Sequence, residues 1–408
     1  MDKLRVIFMG TPEFAVPSLA ALIDKTQVLC VVTQPDKPRG RGHKLQPPPV
    51  KVFAEENGLL VIQPPKVKAP EVVDRLAQLK PDLIVVVAFG QILSQALLDV
   101  PRFGCINVHA SLLPKLRGAA PIEWSIIRGE TVTGVTTMQM SAGLDTGDML
   151  LASEVAIGDE MILPELRERL MTVGADLLLK TLYLLRRGEL HPVKQDDALS
   201  TYAPMLKRDT GLINWTRPAR EIHNLVRGLY GAARAGKFKI WRTRLTTEES
   251  ALAVGEVKIV GQRLFVGTGD GALEVLELQA AGSKKLNAAD FIRGHKVGDD
   301  FTANESLNIE KTITDGFIPD KVSDAPWTST AANREKFVAY IVTVNKLGDT
   351  FKTAQVIGSD RFRGNDFEKN TVAQFSDEFG TNKTSDAKIT AAVKFIRYKV
   401  GDGLWTNE

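Results

Sequence analysis

Apolar residues in the first half of the chain come in short runs set between stretches of helical spacing. LRVIFMG (4–10), VLCVVTQ (28–34), LLVIQ (59–63), DLIVVVAFG (82–90) and CINVH (105–109) have the length and β-branched content of strands. The unbroken Val/Ile core of DLIVVVAFG predicts a strand buried on both faces. Helical patterns fall between them at about 14–24, 47–57 and 70–79. This alternation predicts an α/β domain over 1–190, with a Rossmann-like, mostly parallel sheet and a site outside the carboxyl ends of its strands. Two further strand-like runs, GVTTMQM (134–140) and MLLASEVAI (149–157), precede a leucine-rich helix over 163–187 that Gly188 ends.

The pattern then changes. The polar stretch 191–207 reads as a linker. A helix with start cues at Thr216 and Pro218 (TRPAREIHNLVRGL) precedes the short strands KFKIWRTRL, GEVKIV, RLFVGTG and ALEVLELQ. Short strands joined by glycine turns predict a small β-barrel over 208–300, with a meander packed on the first domain as the alternative. Past residue 300 the composition shifts: all eight methionines, both cysteines and all five histidines lie before it, whereas nine of the seventeen phenylalanines lie after it. The runs FVAYIVTVNKL and AVKFIRYKV predict an extra C-terminal β-rich module over 301–408, whose partner the sequence does not name.

Length agrees with several domains, since 408 residues exceed the roughly 100–200 that one usually holds. No apolar run approaches the roughly 20 residues of a membrane helix, so no membrane span is expected. MDKLRVIFMGTPEF passes from two charged residues straight into a strand-like run without an h-region, which predicts a folded domain in the cytoplasm. Cys30 and Cys105 sit inside apolar runs and read as buried reduced thiols; the scattered histidines have no ligand spacing, so no metal site is expected. The net charge is only +3, yet residues 201–300 alone carry 16 Lys+Arg against 11 Asp+Glu. That excess suits either a docked polyanion such as RNA or an ordinary solvated surface.

Chemistry is concentrated in INVHASLLPKLRGAAPI, residues 106–122. Period-two alternation puts Asn107 and His109 on one side of a strand end, and Asp145 follows in the glycine-flanked loop SAGLDTGDML. An amide, an imidazole and a carboxylate without a nucleophilic Ser or Cys suit direct transfer: Asn107 for a developing oxyanion, His109 and Asp145 for an amine proton. From spacing alone, strand-end caps and a turn aspartate are the slightly favoured reading. Ser111, Leu112, Leu113 and Pro114 form a stiff loop able to present backbone groups to a flat heteroaromatic ligand, or merely a rigid connector. TQPDKPRGRGHKLQPPPVK (33–51) carries Arg39, Arg41, His43 and Lys44 among glycines and prolines, and predicts an irregular surface loop that either closes on a nucleic-acid end or is solvated. Gly10-Thr11-Pro12 stands where a dinucleotide fold has GxGxxG, which disfavours nicotinamide or flavin.

Taken in order and spacing, FMGTPEFA, TQPDKPRGRG, INVHASLLPKLRGAAPI, GVTTMQMSAGLDTGDML and ELQAAGSKKLNAADFIRGH resemble the methionyl-tRNA formyltransferases of the folate-dependent formyltransferase superfamily, from residue 1 to about 300. The resemblance implies transfer of a formyl group from the co-substrate 10-formyltetrahydrofolate to the amino group of initiator methionyl-tRNA. It also implies catalytic roles for Asn107, His109 and Asp145, a folate-contacting loop at Ser111–Pro114, and an OB-like second domain that holds tRNA. Arg41, in the loop the family sets against the acceptor stem, and Lys207 and Arg208, at the domain junction, become the expected tRNA contacts. In that junction the family usually has lysine where Met205 stands and aspartate where Asn214 stands, and GLYGAARAGKFKIW is shorter than usual. The alternatives are a formyltransferase for another amine, such as a sugar nucleotide or purine precursor, and a non-catalytic RNA-binding protein of the same fold.

Overall fold

Every strand-like run of the first half becomes a strand. In chain order the strands there are β1 (Arg5–Gly10), β2 (Gln27–Val32), β3 (Lys37–Arg39), β4 (Lys44–Gln46), β5 (Val61–Ile62), β6 (Leu83–Val87), β7 (Cys105–His109), β8 (Arg117–Gly118), β9 (Val132–Gln139) and β10 (Met149–Ala156), of which β3, β4 and β8 come from no strand-like run. The helices among and after them are α1 (Val16–Lys25), α2 (Pro49–Glu56), α3 (Pro70–Gln78), α4 (Gln95–Leu98), α5 (Pro121–Ile127) and α6 (Leu163–Arg187). The structure is a computed structural model that describes residues 3–39, 44–294, 336–337, 339–341, 354–356 and 397–398; Arg41 lies outside the described residues. The chain divides into two units, Met1–Phe317 and Ile318–Glu408.

Seven strands form one sheet in the order β10-β9-β7-β6-β1-β2-β5. The pairs from β5 through β7 are parallel, and β9 and β10 close the other edge antiparallel, so the sheet is mostly parallel as expected. Alternation along each strand feeds two separate cores. Val6, Phe8, Leu83, Val85, Ile106 and Val108 join the core under α1, α5 and α6, while Ile7, Met9, Ile84, Val86 and Cys105 join the one under α3 and α4. All five residues of β6 are buried, which is what its unbroken Val/Ile run predicted. Proline, whose missing N–H costs nothing at a helix start, opens α2, α3 and α5 at their first residue. Gly188 ends α6 with φ 67°. Gly174 lets α6 lie close on β7: a Cβ there would meet Val108 Cγ1 at 3.3 Å.

The stretch 33–51 requires a correction. It was expected to lack regular structure, yet β3 and β4 pair antiparallel, with Pro38 opposite Leu45 and Arg39 opposite Lys44, and α2 begins before the stretch ends. A two-stranded ribbon leaves one edge of each strand unpaired, so a proline can face outward without losing a ladder bond. Cys30 and Cys105 are free and buried, and burial pushes both thiols up to about 12.

Beyond α6 come β11 (Tyr202–Ala203), α7 (Ala219–Leu229), β12 (Arg234–Ala235), β13 (Phe238–Leu245), β14 (Val257–Val260), β15 (Arg263–Thr268), β16 (Gly271–Ala280), β17 (Leu286–Asn287) and α8 (Ala288–Gly294). An antiparallel sheet, β12-β13-β16-β15-β14 with β17 also on β16, encloses Trp215, Ile222, Val226, Ile240, Leu264, Leu273 and Phe291. On this sheet Glu274 is buried and clasped by Arg263 from β15 and Arg244 from β13, and the Arg263 bonds, followed by those of Arg244, hold its carboxyl below the usual range. α7 is fastened to the turn before α6: buried Arg227 donates through Nη1 to Gly158 O and Met161 O, both at 3.1 Å. His223 bonds Thr243 Oγ1 at 3.0 Å and Asp159 O at 3.1 Å.

In Ile318–Glu408 the described residues form two antiparallel pairs, β18 (Lys336–Phe337) with β21 (Arg397–Tyr398) and β19 (Ala339–Ile341) with β20 (Ala354–Val356). Both strand-like runs of the tail contribute residues to these pairs. Among the described residues no helix is long and apolar enough to cross a membrane, and no three His, Cys, Asp or Glu side chains gather as a metal group.

Candidate active site

β7 ends the parallel part of the sheet, and its pairing with β9 sets Asn107 beside Met138 and His109 beside Thr136. Ile106 and Val108 are taken by the core on the α6 face, so Asn107 and His109 look the other way, as alternation predicts. Asn107 is 9% and His109 6% exposed. Among the described residues no group hydrogen-bonds the Asn107 amide, which leaves its N–H donors available to a ligand.

His109 has a polar neighbour at each ring nitrogen. Nε2 lies 3.0 Å from Leu116 O, and since a carbonyl can only accept, Nε2 carries the hydrogen of that contact. Nδ1 faces Asp145 Oδ2 at 3.8 Å. That distance is too long for a hydrogen bond but within the range where a carboxylate stabilises an imidazolium. The same Asp145 oxygen accepts the Gly118 backbone N–H at 2.9 Å. Asp145 has φ 52°, a left-handed conformation that aspartate tolerates, and Leu116 has φ 58°, where a larger side chain is strained. Gly118, at φ +113°, has no room for a side chain: a Cβ would stand 2.6 Å from the Tyr202 ring and 2.7 Å from Ala203 O.

The loop Ser111–Pro114 is fixed by its neighbours rather than by proline alone. Thr136 Oγ1 donates to Ser111 O at 2.7 Å and accepts Leu113 N–H at 3.1 Å, while Ser111 Oγ donates to Lys115 O at 2.6 Å. Two of the backbone groups expected to face a ligand are therefore bonded internally, and Ser111 and Leu113 are buried; Leu112 and Pro114 stay half-buried at the rim. The Leu113–Pro114 peptide is cis.

The stretch 191–207 does more than connect. Gln195 is buried and donates to Asp145 O at 2.8 Å and Gly147 O at 2.7 Å, while accepting Arg117 Nε at 2.9 Å. Thr201 Oγ1 accepts Leu116 N–H at 2.8 Å, and β11 runs parallel to β8. The loops bearing Asp145 and Leu116 are thus tied together by a third segment. Neither Thr136 nor Gln195 stands out in the sequence. Alternation along GVTTMQM finds Thr136 once the β7–β9 register is known, whereas nothing local marks Gln195.

Lys207 and Arg208 do not join this group. Both are exposed, in a turn closed by Thr210, whose N–H bonds Lys207 O at 3.2 Å and whose Oγ1 accepts Lys207 N–H at 3.1 Å. Met205 beside them is exposed, and Asn214 Oδ1 accepts from both N and Oγ1 of Thr216. The short stretch GLYGAARAGKFKIW makes the tight β12–β13 hairpin, with Tyr230 packed edge-on to Trp241 at 5.3 Å.

Comparison with known proteins shows the family. Residues 3–182 match the formyl transferase family and residues 205–296 the formyl transferase C-terminal domain. A methionyl-tRNA formyltransferase of Geobacter metallireducens is 53% identical over 302 residues, covering 72% of this chain and 96% of that one. One from Acetivibrio thermocellus is 48% identical over 305 residues, covering 72% and 98%. Among solved structures, the sugar 3N-formyl transferase WlaRD, crystallised with dTDP and 5-N-formyl-THF, superposes with a TM-score of 0.54 at 19% identity, covering 70% of this chain and 100% of that one. At that identity the likeness is one of fold. By family match and by identity to these relatives, the chain belongs to the methionyl-tRNA formyltransferases of the formyl transferase family.

Proposed function

We propose that the chain transfers the formyl group of 10-formyltetrahydrofolate to the α-amine of initiator methionyl-tRNA, with Asn107, His109 and Asp145 as its catalytic residues. The observation that carries the site is the unbonded Asn107 amide on the same side of β7 as His109, whose Nδ1 faces the Asp145 carboxylate at 3.8 Å. The unprotonated amine attacks the formyl carbon, and the Asn107 amide donates to the oxygen as it gains negative charge. His109 Nδ1 is the proton-handling atom, because Nε2 is engaged with Leu116 O. It takes the amine proton, the nearby carboxylate stabilises the resulting imidazolium, and the proton passes to the folate nitrogen as its bond to the formyl carbon breaks. The products are formylmethionyl-tRNA and tetrahydrofolate.

Leu112 and Pro114, on the rim of the loop that Thr136 holds, are the side chains placed to contact the folate, with Ser111 and Leu113 shaping the loop from beneath. The second sheet is read as an OB-like barrel that carries the tRNA body, with Arg41, Lys207 and Arg208 as phosphate contacts. The cytoplasm is the compartment this reaction implies. Formyl transfer to charged initiator tRNA, followed with the purified chain, tests the reading. Asn107→Ala and His109→Ala should each lower kcat by about 10²–10³-fold with folate affinity changed less than about threefold. A wild-type chain that formylates a sugar nucleotide or purine precursor but not methionyl-tRNA would overturn the choice of acceptor.

A further inference from the structure

Both polar neighbours of His109 are held by one segment, residues 193–204, on the way from α6 to the second sheet. It is bonded to the first sheet and its loops along its length. Val193 exchanges two backbone hydrogen bonds with Met149 of β10, each 2.8 Å. Gln195 is buried, and its Nε2 reaches Asp145 O and Gly147 O on the loop whose carboxylate faces His109 Nδ1. Farther along, Thr201 Oγ1 accepts the N–H of Leu116, the residue whose carbonyl meets His109 Nε2. Thr201 O accepts Arg117 N–H at 2.9 Å, Ala203 O accepts Ala119 N–H at 2.9 Å, and Pro204 O accepts Trp124 Nε1 at 2.8 Å.

The donor and acceptor ends of the Gln195 amide are set by its neighbours. A guanidinium only donates, so the amide oxygen faces Arg117 Nε at 2.9 Å, and the amide nitrogen turns its hydrogens to the two loop carbonyls. Arg117 is in turn bonded to Asp197 at 2.8 Å, but that carboxylate is exposed, and such a pair adds little by itself. The Asp145 carboxylate stands 3.8 Å from His109 Nδ1, beyond hydrogen-bond length, so no direct bond locks the two together. Their separation is set by what holds the loop. The Gly118 N–H anchors the carboxylate, and Gln195 anchors the backbone that carries it.

We propose that Gln195 is a positioning residue for the transfer: by clamping the Asp145 loop it keeps the carboxylate facing His109, which makes the segment leading to the second sheet a working part of the site. This rests on the proposed reaction. The test uses the full chain, with kcat and the Michaelis constants for methionyl-tRNA and for 10-formyltetrahydrofolate measured separately. Gln195→Ala should lower kcat by about 10–100-fold, the effect of misplacing a reacting group by about 1 Å, while each KM moves less than about threefold. Gln195→Glu keeps the length and the Arg117 contact but has no N–H to donate to the carbonyls, so it should lose as much. In an Asp145→Ala background, followed in single turnovers at high enzyme, Gln195→Ala should cost less than about a further twofold, because the group it positions is gone. An unchanged kcat, a rise in either KM without a fall in kcat, or an equal loss in both backgrounds would overturn the positioning role. If the wild-type chain itself makes no formylmethionyl-tRNA, the reaction is wrong and the proposal falls with it. Should Gln195→Ala fail to fold, Gln195→Met, which fills the same space without donors, decides by the same split.

Discussion

Thr136 shows how much of this site depends on side chains without chemistry of their own. Its hydroxyl donates to Ser111 O and accepts Leu113 N–H, and the β7–β9 register places it beside His109. Thr136→Val keeps the shape and deletes both bonds, leaving a buried N–H and C=O unpaired. Stability should fall by about 1–3 kcal/mol in urea unfolding. The folate KM should rise more than kcat falls, because the rim of Leu112 and Pro114 is disturbed while Asn107 and His109 stay in place. An unchanged folate KM would mean that this loop does not contact the folate. The Asp145 loop is supported in the same manner, through Gln195 and Gly118.

Among the elements, α6 has the clearest structural duty. Its Leu166, Leu170, Leu177 and Leu178 cover the sheet face opposite the candidate site, and Gly174 lets the helix touch β7 directly. Leu178 is fully buried, so Leu178→Ala should destabilise the chain by about 2–5 kcal/mol in chemical denaturation, from lost transfer energy and the cavity left behind. At saturating substrates the folded fraction should keep most of its kcat, since the change lies beneath the sheet. A large loss of kcat with little loss of stability would show that α6 tunes the site rather than supports it.

At the scale of the molecule, the clasp between α7 and the turn before α6 gives stability a pH dependence. His223 is buried and its pKa is lowered from 6.5, first by desolvation, against the opposing pull of the Asp159 carbonyl and Glu160; Arg227 and Arg220 add to the lowering. Between that depressed value and 6.5 the unfolded chain binds a proton that the folded chain does not, so stability rises with pH through the window and falls as pH drops below about 6.5. Above it His223 is neutral in both states and contributes no slope. Unfolding midpoints of wild type and His223→Gln between pH 5 and 8 should differ in slope below about 6.5 and run parallel above it. Parallel curves throughout would remove His223 as the cause.

Most strand and helix positions, the two-sided burial of β6, the helix stop at Gly188 and the shared side of Asn107 and His109 were determined by the sequence. Each follows from local steric rules or from period-two and period-3.6 burial, which act over a few residues. The ribbon in 33–51 is not legible in the sequence, because Pro38 argues against a strand unless its edge is free. The tertiary structure alone decided what supports the site: Thr136 against the loop and Gln195 under Asp145. These pairs are separated by 23 to 50 residues, and a hydrogen bond across such a distance exists only after sheet order and register bring its partners together. Local pattern can thus place the side chains that carry the chemistry, but not those that hold them still.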